Sequence, residues 1–358
     1  MDNSSSSMSL AILLMTLFMF GFSSSKAQMV PALFVFGDSL VDVGNNNYLP
    51  ISTAKANFPH NGVDFPNKKA TGRFSNGKNA ADLLAQKVGL PSSPPYLSLA
   101  SKNASAYMTG VSFASGGAGI FNGTDQKLGQ SIPLTRQVGY YEKIYQSLVQ
   151  TLGPAGVQNR ISKSLFMVVI GSNDIFDYPR NKSNIPQQYV DSMVFTLKGL
   201  LKRLHSSGAR KFVFPAIGAI GCIPSERLKS QTEECNEESN SLALKYNEGL
   251  KSMLQELKSE LKDIAYSYFD TYAVLQNIVQ NPANNGFSEI KAACCGLGKL
   301  KAKIPCLPLS TYCPNRRDHV WWDLYHPTEA TATILVDTIF DGPLQYTFPM
   351  NGRQLVAI

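Results

Sequence analysis

Apolar and polar positions along this chain fall into two alternating periods. Short β-prone runs occur at Ala32–Phe36, Val111–Ala114, Leu165–Ile170, Lys211–Ala216 and Ala265–Phe269. The third, Leu-Phe-Met-Val-Val-Ile, is apolar throughout, as in a strand buried on both faces. Between the runs the period lengthens. Residues 187–205 place Val190, Met193, Val194, Leu197, Leu200, Leu201 and Leu204 on one helical stripe, with Gly208 beyond its end. Residues 239–261 repeat the pattern at Leu250, Met253, Leu254, Leu257 and Leu261, with Lys and Glu on the other face. A last helix is expected from Pro327 to about Phe340, since proline suits the first helical turn. Strands alternating with helices predict an α/β fold, a parallel sheet covered on both faces. The stripes are read as core contacts.

The amino terminus stands outside this pattern. Residues 9–22 are apolar but short for a membrane span, and Ser25-Lys26-Ala27 follows with small residues for a signal peptidase. Residues 1–27 are therefore read as a signal peptide and 28–358 as a single domain. The leader carries Asp2 and no preceding Lys or Arg, and an uncleaved anchor is the alternative. No later segment is long and apolar enough to span a bilayer. About 330 residues then remain, enough for one large α/β domain. The hydrophobic fraction of 44% and charged fraction of 16% exclude a disordered chain. The net charge of +7 is dispersed, and its densest stretch, Lys299 to Lys303, is too short for a nucleic-acid surface.

The six cysteines of a secreted chain favour three disulfides. Cys222 and Cys235 flank one loop and are expected to pair. Cys294, Cys295, Cys306 and Cys313 crowd another and are expected to pair among themselves, with either Cys294 or Cys295 joined to Cys306. Zinc is the rival for this cluster, but adjacent cysteines are poorly spaced as two ligands. Asn103, Asn122 and Asn181 open sequons, candidate glycosylation sites.

Four blocks carry candidate chemistry. Gly37-Asp38-Ser39-Leu40 follows the first strand, where an open α/β sheet gathers its reactive groups. A helix amino terminus is expected near Ser39, which could instead only cap it. Gly110 to Gly119 is glycine-rich, so its backbone N–H groups can approach a ligand, and it lacks the third glycine of a dinucleotide fingerprint. Gly171-Ser172-Asn173-Asp174 ends the most buried strand. Its asparagine could face a developing oxyanion or merely shape an Asx-turn. Asp323-Leu-Tyr-His326-Pro327 places a carboxylate and an imidazole three residues apart. The proline biases His326 away from helical geometry, onto the loop before the last helix. Serine oxygen needs a base to attack an ester, and the base needs an orienting partner. The chemistry thus requires residues 39, 323 and 326 to meet. Only four histidines are present, and none completes a metal site with His326. No metal or organic cofactor is expected.

These blocks, with Gly44-Asn45-Asn46-Asn47, Thr71-Gly-Arg-Phe-Ser-Asn-Gly77 and Ala293-Cys-Cys-Gly296, resemble the plant GDSL esterase/lipase family of SGNH hydrolases, in order and over essentially the whole mature chain. The family usually has Asn before the Phe-Ala of the second block, where this chain has Ser112. The resemblance implies a three-layer α/β/α, flavodoxin-like fold with a mainly parallel five-stranded sheet. It implies Ser39 as nucleophile, His326 as base and Asp323 as its orienting partner. It also implies an oxyanion hole from the Ser39 N–H, the N–H of Gly117 or Gly116, and the Asn173 side chain. The expected partner is a small-molecule, lipid or cell-wall ester, met outside the cell or in a vacuole. A G-x-S-x-G elbow is absent. An extracellular acyltransferase, a polysaccharide O-acetyl esterase and a secreted binding protein without turnover are the alternatives. Phe176, Tyr178, Trp321 and Trp322 could line an acyl pocket, and core is the preferred reading for most of them.

Overall fold

A computed structural model describes residues 27–99, 104–178 and 186–358. The leader through residue 26 and the sequons at Asn103 and Asn181 lie outside the described residues. Strands β1 (Leu33–Gly37), β2 (Leu165–Val169), β3 (Lys211–Pro215) and β4 (Ala265–Phe269) pair in parallel in that order. A two-residue strand, β5 (Thr347–Phe348), adds antiparallel to β4.

Side chains alternate across the sheet as a period of two requires. Phe34, Phe36, Phe166, Phe212 and Phe214 face one layer. It is built from α2 (Leu134–Ser162), α3 (Pro186–Ser206) and α4 (Glu237–Glu260). Leu33, Val35, Leu165, Met167 and Phe269 face the other. That layer comprises α1 (Ala80–Lys87), α5 (Thr271–Gln280), α6 (Glu329–Asp341) and α7 (Gly352–Ala357). The fold is therefore a three-layer α/β/α sandwich, with a buried apolar sheet between helical layers.

Three expectations need correction. Val111–Ala114 is not a ladder strand. It runs beside β1, with Val35 N–H donating to Val111 O and Phe113 N–H to Val35 O, but only Ser112 forms a bridge. Side chains intercept the flanking ladder bonds: Ser93 Oγ donates to Leu33 O, and Gln137 Oε1 accepts the Gly37 N–H. The fifth strand is thus β5. The order of segment 111–114, β1, β2, β3 and β4 is still 2-1-3-4-5, the flavodoxin-like order, whose switch point lies at the carboxyl end of β1. Second, Pro327 does not begin the last helix. It bridges Trp321, and Thr328 caps α6 by accepting the Thr331 N–H. Third, no helix begins at Ser39. A turn follows, and then a short 3-10 segment at Asn45–Tyr48.

Candidate active site

The site lies beyond the carboxyl ends of β1 and β2. Gly37 has φ +149°, and a Cβ there would sit 2.1 Å from Val169 O, so glycine is required for the close exit from β1. Asp38 then closes a tight turn, with its carboxylate accepting the Leu40 N–H at 3.0 Å and its carbonyl accepting the Val41 N–H. This turn presents Ser39 to a cavity that it helps to line.

His326 approaches from the other end of the chain. Asp323 Oδ1 accepts the backbone N–H groups of Tyr325 at 2.8 Å and His326 at 2.9 Å, and Trp322 N–H donates to His326 O at 2.7 Å. The loop thus closes on its own carboxylate. His326 Nδ1 lies 2.8 and 2.9 Å from the two oxygens of Asp323, and Nε2 lies 2.7 Å from Ser39 Oγ. Both side chains are under 10% exposed. The Phe74 ring packs on the imidazole, with centroids 4.9 Å apart. A carboxylate on one ring nitrogen and a hydroxyl on the other is an arrangement able to activate that hydroxyl.

Two disulfides brace this loop. Cys294 pairs with Cys313 and Cys295 with Cys306, while Cys222 pairs with Cys235. The vicinal cysteines donate their N–H groups to Trp321 O at 2.9 Å and Trp322 O at 2.7 Å. The cluster packs around the buried Trp322 ring, whose Nε1–H donates to Asn61 Oδ1. With all six cysteines oxidised, the zinc alternative falls.

The glycine-rich loop lies opposite. Gly117 lines the cavity with φ +78°, and its N–H has no acceptor among the described residues. The Gly116 N–H is already taken by Asp42 Oδ2 at 3.0 Å. Asn173 also lines the cavity. One hydrogen of its amide goes to Ala118 O at 2.8 Å, and the other has no acceptor among the described residues.

Several residues hold this loop in ways that their sequence blocks do not indicate. Asn45 Nδ2 donates to Ser112 O and Ala114 O, and Asn46 Nδ2 donates to Gly116 O and Ala54 O. Ser115 Oγ donates to Asn46 Oδ1. Asp174 accepts from Ile120 N–H, Phe121 N–H and Thr124 Oγ–H. Arg73 makes a buried two-pronged pair with Asp82, both contacts at 2.7 Å, which fixes the segment carrying Phe74. Burial pushes the Asp38 carboxyl up to about 7, and Asp42 and Asp174 up to about 6.

The cavity has a volume of about 370 Å³. Phe176 and Trp321 line it, whereas Tyr178 and Trp322 are core. Among the described residues no helix is long and apolar enough to cross a membrane.

This α/β/α sandwich brings a hydroxyl, an imidazole and a carboxylate together at the switch point of an α/β hydrolase fold, in a chain without a G-x-S-x-G sequence. Comparison with known proteins is more specific. Residues 33–339 match the GDSL-like lipase/acylhydrolase family. The chain is 54% identical to GDSL esterase/lipase At5g55050 of Arabidopsis thaliana, covering 94% of this chain and 92% of that one. It is 38% identical to GDSL esterase/lipase At1g71691 of the same plant, covering 92% and 86%. Among solved structures, Axe2, an acetylxylan esterase from Geobacillus stearothermophilus, matches at 12% identity and a TM-score of 0.37, covering 86% of this chain and 90% of that one. The chain belongs to the GDSL esterase/lipase family of carboxylic ester hydrolases.

Proposed function

We propose that the protein is a secreted serine esterase that works through an acyl-enzyme on Ser39. The observation that carries this reading is the continuous contact from Asp323 through His326 to Ser39 Oγ, at 2.8 and 2.7 Å, on the wall of an apolar cavity. His326 takes the Ser39 proton on Nε2 as Oγ bonds to the ester carbonyl carbon. Asp323 holds Nδ1–H and offsets the charge of the imidazolium. The carbonyl oxygen becomes an oxyanion held by the N–H groups of Ser39 and Gly117 and the Asn173 amide. The engagement of Gly116 with Asp42 favours Gly117 as that donor. Each such donor is worth about 3 kcal/mol of barrier. The C–O bond to the alcohol breaks, and the alcohol leaves with the proton from Nε2. Water then gives its proton to the same nitrogen and attacks the acyl carbon, and Ser39 Oγ recovers the proton as the acid departs.

In this reading residues 1–27 are a leader removed on export, and residues 28–358 form the single working domain. The three disulfides and the sequon at Asn122, on an exposed turn, suit an oxidising, glycosylating route. Amino-terminal sequencing of exported protein is expected to begin at Gln28. The mechanism is tested by p-nitrophenyl ester hydrolysis with wild type and Ser39→Ala. The variant is expected to melt like wild type and to lose turnover by at least about a thousandfold. Full turnover in a folded Ser39→Ala protein would sink the assignment.

A further inference from the structure

The cavity at Ser39 has two unlike ends. Lys55, Asn61, Asp125, Lys127 and Tyr325 supply polar groups to its lining, and Lys127 and Tyr325 are exposed, which marks the open end. The other end lies between the sheet and α6, against Val41, Met167, Val169 and Phe269. Ala332, Leu335 and Ile339 line it from the helix, at spacings of three and four that put them on one stripe. At 1.5 Å per residue this stripe carries the cavity about 10 Å along α6, away from the His326 loop. Met167 and Phe269 are 0% exposed and Ile339 is 2% exposed, so this end stops in the core.

Protein interiors are packed without voids of this kind, and an empty apolar space destabilises the fold around it. The space joins the hydroxyl proposed to attack the substrate. A sugar or other polyhydroxylated group there would bury several hydroxyls among apolar side chains, and the unpaired Thr271 hydroxyl near Phe269 could satisfy only one of them. A polymethylene chain would find only favourable contacts.

We propose that the inner end takes the acyl chain, that the substrate is a fatty acyl ester with a polar alcohol at the mouth, and that Ala332 and Leu335 set the usable chain length. The inference rests on the esterase reading above. The order of bond breaking orients the ester. The alcohol leaves first and must escape past Ser39 while the acyl group is still attached there. An alcohol lodged in the closed end would be trapped behind the acyl-enzyme, whereas an acyl chain can wait there until water has entered from the mouth.

The test is kcat/KM of the exported protein on p-nitrophenyl acetate, butyrate, octanoate and decanoate, beside ethyl and decyl acetate. Each buried methylene is worth up to about fourfold. A rise of at least about tenfold from acetate to decanoate is expected, with little difference between the two acetates. A profile that falls from acetate onward overturns the proposal, and so does a rise that follows the alcohol instead. Ala332→Phe is expected to lower the decanoate-to-acetate ratio about tenfold, and Leu335→Ala to move the optimum to longer chains. Should Ala332→Phe fail to fold, an unchanged profile in folded Leu335→Ala is the overturning result. Ser39 separates the two ideas. Turnover that requires Ser39 but peaks at acetate removes only the fatty acyl inference, while turnover that survives Ser39→Ala removes the esterase reading itself.

Discussion

Asn173 is held in one orientation for the oxyanion role proposed for it. Its amide is anchored by one hydrogen on Ala118 O at 2.8 Å, so the second need not be reoriented when charge develops nearby. Asn173→Ala should lower kcat by about a hundredfold to a thousandfold and leave KM within a few-fold, because the lost bond forms chiefly in the transition state. Steady-state kinetics on one ester decides it, and a loss confined to KM would contradict the role. The candidates for this chemistry were legible in sequence because Ser39, Asn173, Asp323 and His326 lie in short blocks with few alternatives. The roles of the residues that hold them were not. Asn45 and Asn46 reach carbonyls about 70 positions away, and Asp42 reaches Gly116, across separations that leave no local pattern. Gly116 and Gly117 became distinguishable only when that Asp42 contact was seen.

At the level of elements, the buried strands and the long helices α3 and α4 could be read to within one or two residues, because their periodicity is strong and little competes with it. Val111–Ala114 was misread because its apolar pattern says nothing of Ser93 and Gln137, which take ladder bonds on either side of it. α2 carries a stripe of its own at Leu134, Val138, Tyr141, Ile144 and Leu148. It is interrupted at Gly153, φ +71°, ahead of Pro154, where a proline disfavours helix in the residue before it. The element that most directly governs the site is the disulfide-braced segment between Cys294 and Cys313. It supports Trp321 and Trp322 by backbone bonds, and those residues lead into Asp323 and His326. Replacing Cys294 and Cys313 together by serine should cost about 3 kcal/mol of stability. It should also reduce kcat more than the Cys222–Cys235 double replacement does, because the vicinal cysteines hold the chain leading to the histidine loop by two backbone bonds, whereas the Cys222–Cys235 loop touches it through Ser225 N–H to Leu324 O. Denaturant melts and kinetics on the two double variants make the comparison. Equal kinetic effects would mean that the brace serves the fold alone.

Across the whole molecule, the buried carboxylates Asp38, Asp42 and Asp174 cluster at the carboxyl edge of the sheet. Asp38 accepts one N–H and is pushed up to about 7. Asp42 and Asp174 each accept three hydrogen bonds and rise only to about 6, since those donors offset part of the desolvation. An unfolded aspartate has released its proton by about pH 5, while the folded chain still holds these protons. Where the native state binds more protons than the unfolded state, stability falls as pH rises. The contribution of these groups is therefore complete below about pH 4 and is lost as pH rises through 6 and 7. Exposed carboxylates work with the opposite sign. Hydrogen bonds from Lys198 and Lys202 hold Glu260 down at about 2, and those from His205 and Arg210 hold Asp263 low, so their smaller, salt-screened contribution is lost in strong acid. The two trends place the stability maximum on the acid side of neutrality, with a higher melting temperature at pH 5 than at pH 8. Asp38→Asn keeps a polar side chain of the same shape and has no charge to desolvate, so its melting temperature should decline less between those two values. Thermal melts of both proteins across pH 4 to 8 make the measurement, and equal slopes would show that Asp38 takes up no proton on folding.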